Sequence, residues 1–148
     1  MIDTTTISEI LEAKGSNVYS VTPETTVFDA IKTMAEKNIG ALAVVDAGRL
    51  IGILSERDYT RKVVLQGKSS KSTQVREIIS GGIISVTPGH TVEECLRLMT
   101  NHRVRHLPVL VNGQLAGLVS IGDLVNSVIS AQRAAIEQLQ AYIGGVPG

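Results

Sequence analysis

Shifted by 65 residues, the chain overlays on itself without a gap, Ser20–Tyr59 upon Ser85–Leu124. Fourteen of those 40 positions are identical: Ser20/Ser85, Val21/Val86, Thr22/Thr87, Pro23/Pro88, Thr26/Thr91, Val27/Val92, Met34/Met99, Leu42/Leu107, Val44/Val109, Gly48/Gly113, Leu50/Leu115, Gly52/Gly117, Ser55/Ser120 and Asp58/Asp123. Average residue usage would give about two or three. A shorter match at a shift of 68 puts Ile7–Leu11 upon Val75–Ile79, so the first copy carries three extra residues near Lys14–Asn17. A duplication of this kind restricts the fold more than any other feature. Whatever one copy forms the other must form, and a unit of roughly 60 residues buries too little surface to be comfortable alone.

Each copy predicts the same elements. A short strand, Val18–Val21 or Ile83–Val86, ends at a Thr-Pro turn. In the first copy Val27, Ala30, Ile31 and Met34 then follow the i, i+3, i+4, i+7 spacing of a helix with one buried face. Thr26-x-x-Asp29 and Thr91-x-x-Glu94 have capping-box spacing at its start. Two apolar strands come next, Ala41–Val45 with Leu50–Leu54 and Leu107–Val111 with Leu115–Val119. Asp46-Ala47-Gly48-Arg49 and Asn112-Gly113 are hairpin turn sequences. A last helix begins near Ser55 or Ser120. The fold class is therefore mixed α/β (α+β), a β-α-β-β-α unit used twice and led each time by a short helix. The second copy runs on through Leu124, Val125, Val128, Ile129, Ile136, Leu139 and Ile143, a one-sided apolar stripe stopped by Gly144-Gly145. Such a face packs on its own module or on a second subunit; stripe length alone does not choose.

Composition removes several function classes. Lys plus Arg and Asp plus Glu are 14 each, so the net charge is zero, against nucleic acid or an anionic membrane as the main partner. Aromatic residues are 3% of the 148, too few for base-stacking platforms. Cys95 is the single cysteine, which excludes an intrachain disulfide and a thiolate metal cluster; its alignment with Ala30 predicts core packing. No apolar run reaches membrane-spanning length, and Met1–Thr6 lacks a secretory pattern, so a cytoplasmic setting is expected. His90 falls in a turn. His102 and His106 would share a helix face only if a helix ran through both, which Pro108 opposes, so no metal site is expected.

The sequence most suggestive of chemistry recurs in both copies: Gly52-Ile53-Leu54-Ser55-Glu56-Arg57-Asp58 and Gly117-Leu118-Val119-Ser120-Ile121-Gly122-Asp123. A strand ends, a serine opens a helix and an aspartate follows three residues on. One reading is a helix N-cap with an acidic residue in the first turn. The other uses the same atoms for a ligand. The helix N-terminus offers N–H groups to a phosphate, and a nearby carboxylate accepts from ribose hydroxyls. Gly52 and Gly117, without a Cβ, would let a ligand approach the strand.

Two β-α-β-β-α units, each closed by Gly-hydrophobic-hydrophobic-Ser-x-x-Asp, resemble a pair of CBS domains (cystathionine β-synthase domains, a Bateman module) of the small stand-alone type. The likeness runs from about Ile7 to about Ser130, and Arg105-His106-Leu107-Pro108-Val109 is also family wording. It implies two motifs in pseudo-two-fold arrangement: 1–68, a linker at 69–74, 75–130, then a helical extension and tail at 131–148. It implies a regulatory module and no enzyme, binding an adenosyl ligand: AMP first, then ATP, ADP or NAD(H), with S-adenosylmethionine less favoured. Carried over, Asp58 and Asp123 hold ribose hydroxyls and Ser55 and Ser120 contact ribose or phosphate. Ser80 and Ile84 line the adenine end of the second site, and Tyr19 is the counterpart of Ile84 in the first. Arg105 and His106 face phosphates, as does Arg57 beside Ser55. The copies differ at these places: Gly40-Ala41 stands where the second copy has Arg105-His106, and Gly122 where the first has Arg57. Unequal sites follow, with Ser120/Asp123 the stronger. A homodimer and an unidentified regulated protein are the implied partners. The alternatives are a purely structural dimerisation module, in which the Ser-x-x-Asp pairs are only caps, and a small nucleotide-acting enzyme.

Overall fold

A computed structural model describes residues 4–15, 17–79 and 82–144. Its elements run in the expected order: α1 (Ile7–Lys14), β1 (Ser20–Val21), α2 (Val27–Lys37), β2 (Ala41–Asp46), β3 (Arg49–Ser55), α3 (Glu56–Tyr59), α4 (Val92–His102), β4 (His106–Val111), β5 (Gln114–Ser120) and α5 (Ile121–Ile143). The chain groups into two compact units. One takes the N-terminal segment up to Gly15, Val86–Leu107 and the chain from Val119 onward. The other takes the span between Gly15 and Val86 with Pro108–Leu118.

In the second of these units β1 pairs parallel with β2, Ser20 beside Ala43 and Val21 beside Val44. A parallel pair needs a crossover, and α2 supplies it. β2 and β3 form an antiparallel hairpin whose register slips between Val44 and Val45, since Val44 faces Gly52 and Val45 faces Leu50. Ile51 is thus an extra residue, the signature of a bulge. Val27, Ala30 and Met34 of α2 close on Leu42, Val44 and Leu54 of the hairpin, with Val63, Val75 and Ile78 completing the core. In the other unit Val92, Cys95 and Met99 of α4 are buried, as are Ile7, Ile10, Leu107, Val119 and Leu124. α5 packs against α4 and α1 there. The repeat is visible in burial itself, because β3 and β5 show the same in-out sequence residue for residue.

The short leading segments do not stay with their own copies. Thr6 pairs with Thr91 at the start of α4, tied by Val92 N–H to Thr5 O at 2.9 Å and Ile7 N–H to His90 O at 2.9 Å. Gln74, the counterpart of Thr6, pairs with Thr26 at the start of α2, tied by Val27 N–H to Thr73 O at 2.9 Å and Val75 N–H to Thr25 O at 2.8 Å. Each copy's lead therefore docks on the helix start of the other copy.

The structure departs from the sequence expectations at several places. The strand expected at Ile83–Val86 is only an isolated bridge at Val86, and Ile83 remains 38% exposed. Apolar alternation signals a strand, but it cannot say whether a partner lies alongside. After α3 the chain widens into a π-type turn over Thr60–Val64, closed by Leu65 N–H to Thr60 O at 3.0 Å, with Val63 buried inside it. The second lead is a 3-10 turn, Val75–Glu77, where α1 is a true helix. The capping box is complete at Thr91/Glu94, whereas Thr26 caps α2 without the reciprocal bond from Asp29. His90 turns its imidazole inward on its own turn, its Nδ1 accepting from Thr87 N–H at 3.0 Å. His102 ends α4 and His106 begins β4, so no helix carries both. Cys95 is fully buried, and burial, assisted by Glu94, pushes its thiol up to about 11.

Both hairpins turn on two residues at positive φ: Ala47 (51°) with Gly48 (80°), and Asn112 (51°) with Gly113 (78°). That is the two-residue geometry matched to strand twist, and Asn tolerates it better than Ala. Ala47→Asn places the second copy's residue in the first copy's turn. It should raise stability by about 0.5–1 kcal/mol, read as a shift in the urea midpoint. A lower midpoint would show that the turn is not strained.

Candidate functional site

Both Ser-x-x-Asp sequences fold as strand-to-helix corners. Ser55 ends β3 with extended backbone and Ser120 ends β5 likewise; each then caps the helix that follows. Asp58 N–H donates to Ser55 Oγ at 3.1 Å and Asp123 N–H to Ser120 Oγ at 3.1 Å. In return Asp58 Oδ2 accepts from Ser55 N–H at 3.0 Å, and Asp123 Oδ2 from Ser120 N–H at 2.8 Å. Each corner is pinned to the residue before its hairpin: Glu56 N–H donates to Gly40 O at 3.0 Å, and Ile121 N–H to Arg105 O at 2.9 Å. Reciprocal boxes of this kind satisfy helix-end donors, so the capping reading is fully realised in both copies.

The carboxylates are not shut away. The side chains of Asp58 and Asp123 keep 28% and 23% of their surface in solvent. Each meets a lysine. Lys62 Nζ lies 3.5 Å from Asp58 Oδ1, and also donates to Ile78 O at 2.9 Å. Lys14 Nζ lies 2.6 Å from Asp123 Oδ2. Burial pushes the Asp123 carboxyl up, but hydrogen bonds from Lys14 and the Ser120 backbone outweigh it, so the group sits below the ordinary carboxylate range.

The other expected residues divide between the units. Arg105 and His106 share a unit with Ser120 and Asp123; Tyr19, Ile84 and Arg57 share the other with Ser55 and Asp58. Arg105 is exposed and tied to the α5 corner through its carbonyl, and His106 is half-buried. Arg57 is exposed on α3. Tyr19 is 37% exposed, and Lys37 Nζ stands 5.2 Å from its ring centroid, a cation–π contact. Ile84 is half-buried and lies outside any strand. Ser80 lies outside the described residues.

The expectation for Gly52 needs correction. A Cβ there would lie 3.2 Å from Ile79 Cδ1 and 3.3 Å from Ile79 Cβ. The missing side chain makes room for Ile79, not for a ligand. A cavity of about 260 Å³ lies nearby, lined by Ile31, Met34, Ala35, Asn38, Ile39, Gly40 and Glu56. Its single charged group is a carboxylate, which does not suit a phosphate. Sequence reasoning missed Lys14. Nothing local marks it, because its partner is 109 residues away. Lys62 stands four residues after Asp58, the spacing at which helical side chains meet.

The family model for the CBS domain matches residues 7–65 and again 75–130. The chain belongs to the CBS-domain family. Its two copies are a tandem CBS pair, with α5 continuing 13 residues past the second match (143 against 130). Among curated relatives, this CBS pair is 43% identical to the CBS domain-containing protein CBSX3, mitochondrial, of Arabidopsis thaliana, over 97% of this chain and 74% of that one. Among solved structures, a CBS-domain protein from Burkholderia ambifaria MC40-6 is 56% identical with a TM-score of 0.83, covering 86% of this chain and 96% of that one. A hexameric CBS-CP12 protein from bloom-forming cyanobacteria is 28% identical with a TM-score of 0.74, covering 97% and 91%. The CBS pair of protein MJ0100, solved with 5′-methylthioadenosine and S-adenosyl-L-methionine, shares the fold at 22% identity and a TM-score of 0.74, covering 82% and 98%. Among the described residues, no helix of this CBS pair is long and apolar enough to cross a membrane.

Proposed function

We propose that this CBS pair is a regulatory module that binds an adenosyl ligand and changes its affinity for a partner protein when it does so. AMP is the first candidate, followed by ATP, ADP or NAD(H), then S-adenosylmethionine. The observation that carries the reading is the corner built twice, a serine-capped helix start with a part-exposed carboxylate at its third residue. A ribose needs an acceptor for two hydroxyls, and a phosphate needs N–H groups and cations; each corner supplies the first and the start of the second. The MJ0100 pair with its two adenosyl compounds supports the ligand class. Asp58 and Asp123 take the ribose, Ser55 and Ser120 the ribose or phosphate, and Arg57, Arg105 and His106 the phosphate. Ser80, Ile84 and Tyr19 take the adenine. The reading contains no catalytic step and a cytoplasmic setting.

Calorimetric titration of the full chain with AMP, ATP, NADH and S-adenosylmethionine tests it. A ligand present at ten times its dissociation constant should also raise stability by about 1.4 kcal/mol, visible in the melting temperature. Asp123→Ala should weaken binding about tenfold. No heat and no shift at millimolar ligand would overturn the reading. The complete capping boxes would then support the second one, a structural module whose serines and aspartates only cap helices.

A homodimer belongs to the same reading. Along α5, Val125, Ile129, Ile136, Leu139 and Ile143 are 43–70% exposed and follow 3.5-residue spacing, the seam of a two-helix contact. Sedimentation should report about twice the 15.7 kDa chain mass; monomers alone at micromolar concentration would refute it.

A further inference from the structure

The two copies receive the incoming lead on the same turn, and one side chain in that turn differs. In the first copy Thr25 N–H donates to Thr22 O at 3.1 Å, and Thr22 N–H donates back to Thr25 Oγ1 at 3.2 Å. The closed turn presents its carbonyls to the lead: Arg76 N–H donates to Pro23 O at 3.0 Å and Val75 N–H to Thr25 O at 2.8 Å. The second copy repeats each bond. His90 N–H donates to Thr87 O at 3.1 Å, Ser8 N–H to Pro88 O at 3.0 Å and Ile7 N–H to His90 O at 2.9 Å. The acceptor for Thr87 N–H is now the imidazole, whose Nδ1 lies 3.0 Å from that nitrogen and 3.0 Å from Thr87 Oγ1. A threonine hydroxyl accepts at any ordinary pH. A ring nitrogen accepts only while the imidazole is neutral, and both nitrogens are donors once it is protonated. The first copy also ties its lead by an ion pair, Arg76 with Glu24. Ser8 and Gly89 stand at the corresponding positions, so the second copy cannot form it.

We propose that His90 is a pH-sensitive latch: protonation of its ring opens the Thr87–His90 turn and releases α1 from the start of α4. An imidazolium cannot accept from Thr87 N–H, so it leaves that amide and the turn loses a bond that closes it. The carbonyls of Pro88 and His90 then lose the geometry that receives Ser8 and Ile7. The charged groups on the elements packed here are Glu93 and Glu94 in the first turn of α4 and Glu9 in the first turn of α1. Glu94 and His90 lie within each other's field. The Glu94 carboxylate also closes the α4 capping box at Thr91, the residue that bridges to Thr6 of the lead. An imidazolium drawn toward Glu94 therefore pulls on that box as well. Glu93 and Glu94 stay with α4 when the lead leaves, so their attraction for the proton is present in both states. The bond to Thr87 exists only in the closed turn. Protonation thus costs less in the released state. By linkage the docked lead is favoured at high pH and lost as pH falls through the range in which histidine titrates. The lead on α2 is held by a hydroxyl and an ion pair. Carboxylate and guanidinium groups keep their charge over that range, so this lead stays docked.

Amide hydrogen exchange of the full chain reads the latch, with Ile7 and Ser8 reporting on one lead and Val75 and Arg76 on the other. The measured quantity is the ratio of the two leads' protection factors at about pH 8 and at about pH 5.5. Acidification should reduce protection of Ile7 and Ser8 about fivefold relative to Val75 and Arg76, the worth of one hydrogen bond. His90→Thr installs the first copy's residue; it should leave protection at high pH unchanged and abolish the fall. His90→Gln, whose amide oxygen accepts without titrating, should do the same and serves where the threonine variant does not fold. No fall on acidification, a fall shared equally by both leads, or the same fall in the folded variants would overturn the proposal.

Discussion

Leu54→Ala should lower the melting temperature by about 10 °C. Leu54 is completely buried near the end of β3, within the cluster formed by Val27, Met34, Leu42, Val44 and Val63. Removing a leucine side chain from such a place loses its transfer free energy and leaves a void, together about 3 kcal/mol. For a chain near 150 residues each kcal/mol moves the midpoint roughly 2–4 °C. The site cannot easily collapse to fill the void. The strand is held on one side by β2 in register, and the bulge at Ile51 already uses up its local freedom. Val119, the counterpart in β5, is equally buried but smaller, so Val119→Ala should cost about half as much. A shift under 3 °C for Leu54→Ala would mean that the core of this unit repacks.

That experiment touches the part of the fold that the residues declare openly. Leu54 and Val119, Leu42 and Leu107, Met34 and Met99 are aligned by the repeat and all are buried. Hydrophobic periodicity and duplication are local or nearly local signals, and they placed the hairpin strands, the paired helices and both hairpin turns, but not the strand expected at Ile83–Val86. Contacts made across long sequence separations were not legible. Ile79 filling the open face of Gly52 and Lys14 meeting Asp123 depend on the final arrangement of segments, and neither residue type announces its partner. The π-type turn at Thr60–Val64 was missed for another reason. A single extra residue in a helical turn leaves the apolar spacing almost unchanged over so short a stretch. The candidate site was legible as a pair of Ser-x-x-Asp corners, but the cations beside the carboxylates were legible only where the chain keeps them near.

Asp123→Asn should destabilise the protein by about 1–2 kcal/mol at pH 7 and by almost nothing in strong acid. Burial works against the charged carboxylate. The ammonium of Lys14 and the N–H of Ser120 work for it, and the folded-state pKa ends below the ordinary value. A group whose pKa is depressed by folding contributes stability above its unfolded pKa, about 3.9, and loses it as pH falls through the folded value. Asparagine keeps an oxygen for the Ser120 N–H but has no charge for Lys14. Urea unfolding of both proteins from pH 7 down to pH 2.5 measures the gap. It should be widest at neutral pH and close below about pH 4. A gap of constant width would assign the whole effect to shape and none to charge.

The exchanged leads at Thr6/Thr91 and Gln74/Thr26 bear on how such a chain can be shortened. Cutting between the repeats yields two pieces, each holding the wrong lead: the N-terminal piece has the bridge residue that belongs on α4, and the C-terminal piece the one that belongs on α2. Neither half is a complete folding unit, but the two mixed together contain every pairing. They should recombine as a split protein. A chain with a single repeat could satisfy its own helix start only by trading leads with a second chain. Duplication turns that intermolecular trade into an intramolecular one, so the order of the repeats becomes part of the architecture.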